Sequence, residues 1–191
     1  MPGFDLPTAL SLINTVVVVG GITTGLGQLR RARHAAELST LTKLSQMYDE
    51  EIMREARAFV RNDLANLIDE PSFQAELQTF PPGPRAVRIN TLGNFFEDMA
   101  VYVYTGAISE RTVMLLYSAV IQQVWSQTRA AIAIMRVGVG EDIYCMFEHL
   151  AMRAVTWQAR AQTGELRKLL HDPALAAPRP PAERGTAQAA P

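Results

Sequence analysis

Apolar residues follow two different rhythms along this chain. From Leu6 to Leu29 there is one run of 24 residues without a charge, centred on the four valines at 16–19. About 20 apolar residues in a helix cross a hydrocarbon layer about 30 Å thick, so the run predicts a transmembrane helix. Asn14, Thr23, Thr24 and Gln28 weaken it without charging it. Beyond it the rhythm becomes the three-and-four spacing of amphipathic helices, and no strand-like alternation occurs over residues 36–172. The predicted fold class is all-α: an N-terminal transmembrane helix, a bundle of about four helices, and a disordered tail.

The first bundle helix is expected from Ala36 to about Asp69. Leu38, Leu41, Leu44, Tyr48 and Ile52 form one stripe, continued by Ala56, Phe59, Val60, Leu64 and Leu67. Pro71 and the loop Phe80-Pro81-Pro82-Gly83-Pro84 interrupt it. A second helix runs from about Arg88 to Tyr104, apolar on most of its circumference and therefore central. Ser109 is a natural N-cap for the third, which reaches about Arg136. Its 17 uncharged residues between Arg111 and Arg129 include Gln122, Gln123, Ser126 and Gln127. Each of these needs a polar partner in hydrocarbon, so a second span is not expected. The fourth is expected from Glu141 to His171, with its core face at Ile143, Phe147, Leu150, Ala154 and Trp157.

Charge decides topology and excludes some functions. Arg30, Arg31 and Arg33 follow the uncharged run, and only Asp5 precedes it. The positive-inside rule then predicts a retained, single-pass inner-membrane anchor with the N-terminus outside and the remainder cytoplasmic. The three arginines would meet lipid headgroups. The expected organisation is an extracytoplasmic tail at 1–7, anchor and basic stop at 8–35, cytoplasmic bundle at 36–172, and a Pro/Ala-rich tail at 173–191. A net charge of −1 argues against nucleic acid as a partner. A single cysteine, Cys145, excludes an internal disulfide and is expected to be buried and inert within a helix. Gly20, Gly21, Gly25 and Gly27 miss the spacing of a dinucleotide-binding turn. Gly21 and Gly25 instead form a small-xxx-small pair, an expected oligomerisation face within the membrane.

The pattern Asn90-Thr-Leu-Gly-Asn94-Phe95-Phe96-Glu97, then Gly106-Ala-Ile-Ser, then a helix containing Trp125 and ending near Arg136, then Phe147-Glu148-His-Leu and Trp157, resembles a known bacterial group. That group is the uncharacterised family catalogued as domain of unknown function 4760. The resemblance covers about residues 8–160. It implies a membrane helix, a basic stop and a compact helical cytoplasmic domain, and it implies no activity.

The residues able to carry chemistry are few. Glu97 sits one helical turn from Asn94 in a largely apolar helix, and a buried carboxylate must be paired, hydrogen-bonded or protonated. Arg129, Arg136 and Arg153 are its candidate ion-pair partners, and Asn94, Glu97, Arg136 and Glu148 form a candidate buried polar cluster. Glu148 and His149 are adjacent, about 100° apart on a helix, and cannot readily share an ion; no metal, cofactor or catalytic set is expected. Trp125 and Trp157 are core residues or, if exposed, interaction aromatics. The expected function is therefore that of a membrane protein whose helical domain binds a protein partner or assembles with itself. The alternative is a membrane-anchored enzyme or small-ligand sensor with an interhelical pocket around Glu97 and Arg136.

Overall fold

A computed structural model describes residues 6–162, and their packing at Gly25 and from Gly27 to Ala161. Among the described residues there are seven helices and no strand. Helix α1 (Leu6–Asp49) is unbroken for 44 residues. The expected membrane-spanning run occupies its first half, where most side chains lie outside the described residues. Among the described residues no helix is long and apolar enough to cross a membrane.

The single helix expected over 36–69 is not what forms. Its first part is the end of α1, and Glu50, with extended backbone, separates this from α2 (Glu51–Asn62). Asp49, Glu50 and Glu51 explain the break. Carboxylates oppose the negative C-terminal end of a helix dipole and favour the positive N-terminal end of the next. The bend also divides the expected stripe: Leu44 is buried and Leu41 and Tyr48 pack on the core, whereas Leu38 and Ile52 are exposed. The short helices α3 (Leu64–Leu67) and α4 (Pro71–Leu77) follow. Pro71 opens α4, since a first-turn residue has no hydrogen bond to lose.

Three longer helices complete the domain: α5 (Ala86–Tyr104), α6 (Glu110–Gly138) and α7 (Cys145–Gln162). Helix α5 is central, burying Ile89, Leu92, Phe95, Phe96 and Met99. Ser109 caps α6 as expected, accepting from Thr112 N at 3.1 Å. Phe96 stacks on Phe147, and Trp125 meets Phe147 edge-on, joining α5, α6 and α7 in one aromatic cluster. The last helix starts at Cys145 rather than Glu141. Gly140 (φ 152) and Tyr144 (φ 57) both lie outside the helical region, so residues 139–144 turn before α7 begins. Position 145 consequently falls at the helix end and Cys145 is exposed, which corrects its expected burial. The expected tail at 173–191 and His171 lie outside the described residues.

Candidate functional site

The start of α7 is where the expected polar residues meet. Gly93 on the inner face of α5 is the local cause. A Cβ there would stand 2.4 Å from Tyr144 Cζ, so only glycine lets the Tyr144 ring lie against the α5 backbone. The ring is buried, with its hydroxyl donating to Asn90 Oδ1 and lying 3.3 Å from Asn94 Oδ1. Burial raises the phenol above its ordinary pKa, and the charge of Glu97 adds to the effect, so the group remains a protonated donor.

Tyr144 occupies the position before the first turn of α7, since its carbonyl accepts from Glu148 N at 3.0 Å. Its side chain, pointing into the core, cannot cap that turn. Glu97 does so from α5, accepting from Phe147 N at 2.7 Å and Met146 N at 3.3 Å. The role expected for Glu97, an ion pair with an arginine, is therefore corrected: its oxygens meet helix N–H groups. Arg136 pairs instead with Glu148 at 2.7 Å and donates from Nε to the Ile143 carbonyl at 3.0 Å. Arg153 pairs with Glu110, and Arg129 is exposed. Thus Asn94, Glu97, Arg136 and Glu148 converge on the residues 143–147, as two neighbouring sets rather than one network. Asn94, on the outer side, is exposed.

Beside this start lies an open cavity of about 490 Å³, with Phe80, Asn94, Glu97, Met135, Asp142 and Tyr144 among its walls. Its polar side chains are carboxylates, amides, a phenol and the Thr79 hydroxyl. Its back wall is fixed by the Tyr144 hydrogen bonds, and Glu97 has already committed both oxygens to helix α7. Among the described residues no group of three or more His, Cys, Asp or Glu side chains is placed to hold a metal ion.

Two further polar contacts were not foreseen from the sequence. Arg85 bridges Glu76 (2.7 Å) and Glu70 (3.1 Å) across the proline loop, with its guanidinium over the Phe73 ring. Hydrogen bonding to Arg85 holds the Glu76 carboxyl below the usual range, against a smaller opposing effect of desolvation. At the other end of the domain Glu37 of α1 accepts from Ser109 N at 2.8 Å, and Arg33 donates to the Gly106 carbonyl at 3.4 Å. Helical periodicity gives no signal for either, because both join residues on different elements.

The remaining expected sites are placed as follows. Trp125 and Trp157 are partly buried and pack against the core. Arg30, Arg31 and Arg33 are exposed on α1, and Gly25 is exposed with nothing close to it. The surroundings of Gly21 lie outside the described residues.

No curated protein and no solved structure matches the chain. A family model does match, over residues 14–154, which takes in the second half of α1 that docks on the domain, the α5–α6 turn and the start of α7. The chain therefore belongs to the family described as domain of unknown function 4760.

Proposed function

We propose that this chain is a single-pass inner-membrane protein whose N-terminus is outside and whose helical cytoplasmic domain binds a protein partner or a second copy of itself. One observation carries the reading: α1 continues without a break from the uncharged run into the domain core. Its far end buries Leu44 and sets Tyr48 5.5 Å from Phe95. A helix of this kind joins an anchor to a domain without a linker between them. The interaction role is supported by Leu38, Leu116 and Met152, apolar side chains each more than half exposed. The test is extraction of the tagged full-length chain from its own membranes, then native mass of the purified particle. Retention until detergent is added is expected, with a mass that is either a multiple of the chain or raised by a second protein. Recovery without detergent overturns the anchor, and a bare monomer overturns the interaction role.

A second reading is favoured by the cavity at the start of α7. There the domain is a small-ligand sensor, with Asn94 and Asp142 facing the ligand and Glu97 and Arg136 holding the wall. Loss of a phenotype on Asp142→Asn, at unchanged stability and unchanged particle mass, supports it over the first reading.

A further inference from the structure

The rise of α1 sets a scale for the domain's distance from the membrane. Arg33 follows Leu29, the last residue of the uncharged run, by four positions, or about 6 Å along the axis. The interfacial layer beyond the hydrocarbon is about 5–7 Å deep on each side. In an anchored chain the Arg33 backbone therefore stands near the outer limit of the headgroups. Side chains on a helix lean toward its N-terminus, so the Arg33 guanidinium lies on the membrane side of its own backbone. It is this group that meets Gly106 O.

A second pair of contacts gives the direction. Glu37, one turn further along α1, meets Ser109. Tyr48, further still, meets Phe95 of α5 and Tyr117 of α6, with ring centroids 5.5 and 6.3 Å away. Both rings are remote from the α5–α6 turn, so α5 runs antiparallel to α1 toward Gly106 and α6 leads away from it. The turn is the end of the domain nearest the start of α1. From Val101 to Ser109 it carries nine residues without a charge. Its surface is nonetheless open: Tyr104 is 81% exposed, Val101 is 40% exposed, and Gly106 and Ala107 are exposed.

We infer that the α5–α6 turn, Tyr104 to Ala107, is a second membrane contact that sits in the lipid headgroup layer beside Arg30, Arg31 and Arg33. An uncharged turn enters that layer without desolvating a charge, and tyrosine is enriched at such interfaces because its ring is apolar and its tip polar. The inference rests on the anchor reading above. It gives the bundle a fixed orientation, with α5 and α6 standing away from the bilayer rather than lying on it.

Depth-dependent quenching tests it in the full-length chain. Cys145→Ser removes the native thiol, and Ala107→Cys or Val137→Cys then takes one fluorophore. Val137 is 81% exposed, near the far end of α6 and about 42 Å from its cap. The labelled chains are placed in vesicles of phosphatidylcholine and phosphatidylglycerol containing headgroup nitroxide lipid. Several-fold stronger quenching at 107 than at 137 is expected. Equal quenching at the two positions, in a chain that floats with the vesicles, overturns the contact and leaves the anchor standing. A chain that does not float overturns both.

Discussion

Gly93→Ala is the sharpest test of how the α7 start is built. On helix propensity alone the change is favourable, since alanine is better than glycine in a helix interior by about 1 kcal/mol. The structure reverses the sign. The added Cβ would lie 2.4, 2.6 and 2.8 Å from three carbons of the Tyr144 ring, where carbon contacts settle at about 3.5–4.0 Å. The ring must withdraw by about 1 Å or more, and it is buried and tied to Asn90. Overpacking of this kind costs about 1–3 kcal/mol, and loss of the phenol hydrogen bond about 1 kcal/mol more. After the propensity gain, a net loss of about 1–3 kcal/mol remains. For a chain of this size that lowers Tm by about 2–12 °C, measured by circular dichroism on the full-length protein in mild detergent. The decisive arm is the same substitution in a Tyr144→Ala background, which removes the ring. There Gly93→Ala should become neutral or stabilising, a coupling that a double-mutant cycle measures directly. Destabilisation of equal size in both backgrounds refutes the ring-against-glycine account.

Glu97→Ala leaves the Met146 and Phe147 N–H groups in the first turn of α7 without their acceptor and should cost about 1–2 kcal/mol; Glu97→Gln keeps one acceptor and should cost less. Hydrogen exchange at Met146 and Phe147 should quicken in that order, and unchanged exchange in Glu97→Ala would show the cap to be dispensable. Glu76 has a depressed folded pKa, so its contribution is present above the ordinary glutamate range, near 4.3, and fades as pH falls through the folded value. The Tm difference between the native chain and Glu76→Gln should accordingly be visible at neutral pH and vanish in acid; a difference that persists below that window speaks against the Arg85 pairing as its source. Cys145 should react with one equivalent of an uncharged thiol reagent in the folded protein, and protection from it would place the α7 start differently.

Much of the fold was legible because it depends on spacing within one element. The α6 start at Ser109, the end of α5 near Gly106 and the apolar faces of both helices follow from local caps and periodicity. The break at Glu50 is carried by three consecutive acids, a signal outweighed by an apolar stripe that runs on through it. The α7 start was misplaced because the stripe through Ile143 continues the helix on paper, while Tyr144 leaves the helical region to bury its ring. The polar residues of the site were legible by type. Their pairing was not, because which carboxylate meets an arginine and which meets a helix end is set by where α5, α6 and α7 cross. Tyr144 itself was missed: nothing local marks it, and the glycine that admits it lies 51 residues away.

Each of the three long helices of the domain begins against a glutamate that belongs elsewhere. Glu76 accepts from Arg85 N ahead of α5, Glu37 from Ser109 N ahead of α6, and Glu97 from the first turn of α7. The exposed N–H groups of a helix start are unsatisfied in an isolated segment. Here their completion waits on residues separated along the chain by 9, 72 and 50 positions. The helix starts are thereby tied to assembly: a neighbour completes part of each, beside local partners such as Ser109 Oγ at Thr112 N. Because Glu37 belongs to α1, that helix is joined directly to the start of α6 as well as to the core.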